Sequence, residues 1–495
     1  MRTTIAFRER AANVSPAKML PDKQVKIQPN WAGTIGILVG CLFGYYLSFD
    51  DLPSSIMLRH VSISLLAGII FSFIMDWRFG LRNLVRVDVF ALLAFYFLTF
   101  FEFLFPQSRF DLLAIPDDVL TATHLALLGL AAMTLGRHLN VLPRKQLDKL
   151  GDIQMEPKHF LLIFFGAFIL NFLPMFLAVD FNPVDWFHET LQPRFSRPWS
   201  RGRLGDLSSL LNELQLLGYV LPPIAGLIFA RWRSYAKFTL VIIALCLLLL
   251  WYTAFSSGTR NILAIQVASF FAGFFVVQKK ISLKILLPTA AAVGIVFIIL
   301  ANMMLDFRRI GLDQYIREGR YTAEFKEYKQ QYMAERNMKD EAGYFVDYNL
   351  WRLSQIVSLF PEVYGYIGWN MPFVAITKPI PRALWPEKPE GLAVSLEEAI
   401  GAEGYTIAVT WVGEAYVAGG GIWIIAIGLL IGAFCYFWNE LAKFIQNPFP
   451  LIVFASGFYA VLLLMRSLMF FTTALLPSIA LIVLGVFMYK QNQKV

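Results

Sequence analysis

Runs of about twenty apolar residues recur along the chain, each the length needed to cross roughly 30 Å of hydrocarbon. Inside a bilayer every backbone polar group must bond internally, so only helices or closed barrels can span it. The two-residue alternation of a barrel strand is missing, which leaves helices. Twelve spans are predicted, at 31–48, 56–75, 89–105, 118–136, 160–179, 207–230, 238–255, 260–277, 285–304, 419–437, 449–467 and 470–489. Composition agrees: 57% of residues are hydrophobic and 16% are charged, against about 25% charged in soluble domains. A soluble enzyme, a disordered chain and a secreted disulfide scaffold are excluded. The expected fold is an all-α polytopic membrane protein.

The net charge of +8 alone would suit nucleic acid or anionic lipid. Its distribution says otherwise. Basic residues crowd the N-terminal tail (Arg2, Arg8, Arg10, Lys18, Lys23, Lys26) and alternate segments after it. Those segments hold Arg78, Arg82 and Arg86, then Arg137, Arg144, Lys145, Lys149 and Lys158, then Arg231, Arg233 and Lys237, then Lys279, Lys280 and Lys284. By the positive-inside rule both termini are cytoplasmic, and no nucleic-acid partner is expected. The tail at 1–30 lacks the apolar core of a cleaved signal. The predicted order is a basic tail at 1–30, nine spans at 31–304 with an external loop at 180–206, and a large, partly helical external loop at 305–418. Three spans at 419–489 and a short tail at 490–495 complete it.

Cys41, Cys246 and Cys435 lie in apolar blocks, and His60, His124, His138, His159 and His188 are not paired at ligand spacing. Neither a metal nor another cofactor is expected.

The chemistry is sought in polar residues at the external span ends. Ser256-Ser257-Gly258-Thr259-Arg260 opens span eight. A helix N-terminus offers free N–H groups and a positive dipole end, and Arg260 with the Thr259 hydroxyl would complete an anion site. The plainer reading is a capped helix whose arginine reaches lipid headgroups. The acid-free run at 191–204 holds Arg194, Arg197, Arg201 and Arg203. It suits a diphosphate or acidic sugar, or else anionic lipid and the nearby acids. Arg308, Arg352, Arg466, Glu102 and Glu414 are isolated charges at or near span ends, with salt-bridged structural pairs as the alternative. Asp50-Asp51, placed where C-type glycosyltransferases carry a catalytic acid, reads as an ordinary loop. His188 is the histidine clearly in an external loop: a general base, or a surface residue.

Residues 311–343 read as an exposed helix, and 345–367 as an amphipathic helix on the membrane surface or the bundle. The proline-rich stretch at 372–389 cannot be regular helix. Gly419, Gly420 and Gly421 permit a break before span ten.

The stretches SSGTRNIL at 256–263, IPRALWPEKPEG at 380–391 and GEAYVAGGG at 413–421 resemble the bacterial O-antigen polymerase family, the oligosaccharide repeat-unit polymerases of Wzy type. Arg194 with Gly205 and Arg308 with Gly319 match the Arg-x10-Gly pattern that some members carry in two external loops. The resemblance implies about twelve spans, a GT-C-like (C-type glycosyltransferase) bundle with a large extracytoplasmic loop domain, and location in the bacterial inner membrane. It implies transfer of a glycan from undecaprenyl diphosphate to the non-reducing end of another lipid-linked unit, without metal. Partners would be undecaprenyl-diphosphate-linked oligosaccharide, membrane lipids, and a flippase and chain-length regulator of the same pathway. Under it, Arg260 and Thr259 are the first candidates for diphosphate contact, followed by Arg201, Arg203, Arg352, Arg466, Arg194 and Arg308. Glu414 is the preferred base, with His188 behind it. An O-antigen ligase-type transferase and a lipid-linked sugar flippase remain open alternatives.

Overall fold

The computed structural model describes residues 27–140, 144–153, 155–194, 196–200, 211, 214–278, 311–318, 348–378, 408–444 and 447–492, with scattered positions in 284–310 and 380–400. The described elements are all helical. Those that build the bundle are α1 (Trp31–Leu47), α2 (Ser54–Trp77), α3 (Val87–Thr99), α4 (Pro116–Gly136), α5 (Pro157–Leu177), α6 (Pro183–Leu191), α7 (Leu221–Ala230), α8 (Lys237–Ser256), α9 (Arg260–Val277), α10 (Asn349–Leu359), α11 (Thr410–Leu441), α12 (Pro448–Arg466) and α13 (Phe471–Asn492). Among the described residues, eight helices are long and apolar enough to cross a membrane, and three shorter apolar ones cover 31–47, 87–99 and 214–230. The chain is a multi-pass membrane protein. The ninth predicted span, 285–304, lies largely outside the described residues.

Lipid-facing positions carry apolar side chains: Leu42 and Tyr46 on α1 are exposed, as are Phe238 and Leu245 on α8. Between helices, small residues let backbones approach, the packing expected where lipid competes for apolar contact. A Cβ on Gly68 of α2 would stand 2.8 Å from the Gly36 carbonyl of α1, and Gly432 of α11 lies against Gly136 of α4 in the same way. Gly226 of α7 lies against the Phe270 carbonyl of α9, and Gly273 of α9 against the Pro223 carbonyl of α7.

The helix directions define two ends. At one end, here the tail end, residues 27–34, 72–88, 137–138 and 439 meet. At the other, the loop end, lie 180–198, 256–260, 348–368, 410–418 and 466–470.

At the tail end the structure departs from the sequence reading. Arg86 and Arg137, expected in loops between spans, are fully buried. Arg86 donates from Nη2 to Asp76 Oδ2 at 2.7 Å, from Nε to Asp88 Oδ1 at 2.8 Å and from Nη1 to the Gln28 carbonyl at 2.9 Å. Arg137 donates to Thr34 Oγ1 at 2.7 Å and to Asp88 Oδ2 at 3.5 Å. Asn439 of α11 donates to Asp88 Oδ1 at 2.6 Å and accepts from the Val87 N–H. Two cations thus meet two carboxylates, and the set ties α1, α2, α3, α4 and α11 together. Buried charge survives only when paired and hydrogen-bonded in this way.

At the loop end, α11 starts at Thr410, earlier than the predicted span. It is interrupted at Gly419 and Gly420, and Gly420 has φ +70°, a left-handed value that glycine adopts without strain. The segment 410–418, placed by the sequence reading at the end of the external loop, is therefore a buried helical stretch. The amphipathic helix predicted over 345–367 is helical, among the described residues, over 349–359, and it falls on the bundle: α10 buries Leu350, Leu353 and Ile356. The proline-rich stretch, read as unable to form regular helix, begins in a short helix, Asn370–Thr377, with Pro372 in the first turn, where its missing N–H costs no bond.

Candidate anion-binding site at the loop end

The site is built from four segments. The first is the chain after α6. Arg197 there is buried, and its guanidinium donates to the carbonyls of Thr190 at 2.6 Å and Gln192 at 3.1 Å. It also donates to the carbonyl of Ser256, at 2.6 Å, and the Ser256 hydroxyl, at 3.4 Å, at the end of α8. Arg197 therefore pins the 190–197 segment to the Ser-Ser-Gly turn. Burial pulls its guanidinium down to about 10, opposed by Tyr252 and Glu189 and reinforced by Arg194.

The second segment is that turn. Gly258 has φ +64°, and a Cβ there would lie 2.8 Å from Arg308 Cβ and 3.0 Å from the Met304 carbonyl. The glycine is needed twice over, for its backbone conformation and for close approach of the third segment, around 303–311. That segment in turn touches the first. Gly311, with φ +88°, faces the Leu191 carbonyl and Pro193, where a Cβ would stand 2.9 Å from each.

The fourth segment is the end of α12. Arg466 is its last residue, and Tyr459, seven residues earlier, falls on the same helix face. Tyr459 stacks on Tyr219 with ring centroids 3.6 Å apart and planes 16° apart. Arg194 stands within electrostatic reach of Arg308, Arg466 and Tyr219. Burial lowers its pKa first, and repulsion from Arg308 and Arg466 lowers it further. Three half-buried arginines from three distant parts of the sequence thus lie within electrostatic reach of one another through Arg194. Arginine carries a planar fork matched to phosphate oxygens.

No protein-family model, curated protein or solved structure matches the chain. The candidate site therefore rests on its own geometry.

Of the residues singled out from sequence, Arg194, Arg308 and Arg466 come together, with the Ser-Ser-Gly turn packed behind Arg308. Arg201 and Arg203 lie outside the described residues. Thr259 is buried and its hydroxyl accepts from Ser257 Oγ at 3.0 Å, while it makes no side-chain cap to α9. Arg260, half-buried, opens α9 and is not among the groups acting on Arg194. Arg352 makes local contacts on α10: it lies over the Trp351 ring at 4.3 Å and donates to Gln355 Oε1 at 2.9 Å. His188 is exposed on the last turn of α6.

Glu414 is buried in α11. Its Oε1 accepts from Ser467 Oγ at 2.6 Å and its Oε2 from the Met469 N–H at 3.0 Å. The carboxylate thereby fixes the chain that follows Arg466, which is a holding geometry. Among the described residues, no group of three or more His, Cys, Asp or Glu side chains is placed to hold a metal ion. Sequence reasoning named Arg197 as an anion contact, whereas its guanidinium is used on the Thr190, Gln192 and Ser256 carbonyls; Tyr219 and Tyr459 were missed. The seven-residue spacing of Tyr459 and Arg466 was the one signal for the last.

Proposed function

We propose that the protein is a metal-independent glycosyltransferase that polymerises lipid-linked oligosaccharide repeat units. In this reading the chain crosses the bacterial inner membrane about twelve times, with both termini cytoplasmic and the loop end, including a domain in 305–418, facing the periplasm. The donor is a glycan on undecaprenyl diphosphate, and the acceptor is the non-reducing end of a second lipid-linked unit.

The observation that supports this reading best is the gathering of Arg194, Arg308 and Arg466 beside the Ser-Ser-Gly turn. When the glycosidic C–O bond to the lipid diphosphate breaks, negative charge grows on the departing oxygen. Fixed guanidinium groups stabilise that charge with little reorganisation during the reaction. The acceptor hydroxyl must be held in line on the opposite side of the sugar carbon. Glu414, through Ser467 and Met469, sets the position of Arg466. As a base it would have to reach the acceptor hydroxyl with a lone pair that neither Ser467 nor Met469 uses.

The test is purified protein in liposomes with lipid-linked repeat units, followed by a gel. A ladder from the native chain, lost in Arg194→Ala and Arg466→Ala at equal protein levels, is the expected result. Transport of the lipid-linked unit across the liposome without a ladder would replace this reading with a flippase.

A further inference from the structure

A second site lies apart from the arginines, between α10 and the start of α4. A cavity of about 270 Å³ is lined there by Asp118, Trp351, Ser354, Gln355 and Ser358 over an apolar floor including Leu113 and Ile400. Four of these residues, 351, 354, 355 and 358, have the i, i+3, i+4, i+7 spacing that puts them on one face of a helix. The wall is held rigidly. Tyr348 donates to Gln107 at 2.7 Å, Asn349 to the Leu98 carbonyl at 2.8 Å, and Trp351 Nε1 to the Leu113 carbonyl at 3.1 Å. Arg352 lies over the indole and donates to Gln355 Oε1, which orients the Gln355 amide and leaves its NH2 group as a donor.

The lining selects its ligand by chemistry. The Asp118 carboxylate, with exposed Asp117 beside it, sets two negative charges against the one Arg352 guanidinium over Trp351, so the lining disfavours phosphate and other anions. The carboxylate, amide and two hydroxyls make the cavity too polar for an acyl chain. An indole and aliphatic floor beside an acceptor and a donor match a neutral sugar ring, which has apolar C–H faces and a rim of hydroxyls. The volume lies just below the range of about 300–1,000 Å³ usual for ligand pockets, as suits a short saccharide.

We infer that this cavity is a saccharide subsite that takes a neutral sugar residue of the lipid-linked substrate, while the arginine site takes the diphosphate. The inference rests on the reading above for the identity of the substrate, although the cavity can be tested by itself.

Full-length protein labelled with 5-fluorotryptophan, in detergent micelles, gives a 19F resonance for Trp351 that Trp351→Phe assigns. The probes are N-acetylglucosamine, the methyl glycosides of glucose, galactose, mannose and rhamnose, and inorganic pyrophosphate. At least one sugar is expected to shift this resonance saturably, with affinity lowered about tenfold in Asp118→Ala, as for a lost hydrogen bond to a charged group. Pyrophosphate is expected to leave it unmoved. Gln355→Leu makes the same test should Asp118→Ala fail to fold. A resonance that ignores every sugar, or that moves with pyrophosphate, overturns the subsite.

Retention of labelled pyrophosphate by the native chain, lost in Arg194→Ala, separately checks the diphosphate site. Sugar silence with pyrophosphate still retained removes only the subsite. A sugar response without pyrophosphate retention upholds the subsite and removes the polymerase reading.

Discussion

Arginines gather at both ends of the bundle, in different settings. At the tail end Arg86 and Arg137 are interleaved with Asp76 and Asp88, and every polar group named there has a partner at hydrogen-bonding distance. At the loop end Arg194 sits with Arg308 and Arg466, like charge beside like. A neutral buried network adds specificity to packing and gains nothing from a further ion. Arg308 and Arg466 each disfavour the charged form of Arg194, an effect that a bound anion would offset. One cluster holds helices together; in the proposed reading the other holds a charged ligand.

Breaking the tail-end cluster should produce the largest effect. Asp88→Ala leaves Arg86 and Arg137 buried against a single remaining carboxylate. Removing one partner of a buried pair costs about 3–5 kcal/mol. The expected outcome is a large fall in melting temperature in detergent, or loss of protein from the membrane fraction. Asp88→Asn keeps the shape and the contact to Asn439, so a milder fall is expected. Equal melting of Asp88→Ala and native protein would erase the distinction between the two ends.

The loop end should respond differently. Arg194 and Arg466 are half-buried and take no part in the tail-end cluster, so Arg194→Ala and Arg466→Ala should change melting less than Asp88→Ala does. Polymer formation in liposomes should drop by about 10²–10³, as when one preorganised charge-stabilising donor is removed. Arg197→Ala belongs with neither pattern. It frees the Thr190 and Ser256 carbonyls that Arg197 joins, so both stability and ladder formation should fall.

Much of the fold was legible because its cause is local. Twenty apolar residues make a span wherever they occur, and the eight long helices and three shorter ones fall where blocks were read. The tail-end network was not legible, because a basic residue in a short polar segment carries the same topological signal whether it faces water or a buried aspartate. Arg86 shows this: only the packing of α2, α3 and α11 around it reveals its burial. The loop-end site was legible as parts. Arg194 stood out in the acid-free run, and Arg308 and Arg466 as charges near span ends, but their meeting depends on contacts across about 270 positions of sequence, which neither periodicity nor spacing encodes. Glu414 was read from its place before a predicted span. The structure extends the helix past it and buries it against Ser467 and Met469.

Glu414→Gln probes the link between fold and site. Glutamine can still accept one hydrogen bond and can donate to the Ser467 hydroxyl, so the chain after Arg466 stays in place. A positioning role predicts that ladder formation falls no more than severalfold while Glu414→Ala loses most of it, with unchanged dependence on pH. A base role predicts that Glu414→Gln is as inactive as Glu414→Ala.

The smallest expected effect comes from Gly258→Ala, and it sharpens the comparison most closely. Alanine at φ +64° costs about 1–2 kcal/mol. Its Cβ would also press on Arg308 Cβ at 2.8 Å, a side chain that carries the site's charge. The push displaces Arg308 relative to Arg194 without removing any charge. A modest fall in melting temperature should therefore accompany a larger loss of pyrophosphate retention than the stability change alone explains. At the tail end the corresponding packing change, Gly136→Ala against Leu429, should lower stability and leave pyrophosphate retention at its native level. Parallel losses in the two variants would mean that the arginines at the loop end act only as packing, as those at the tail end do.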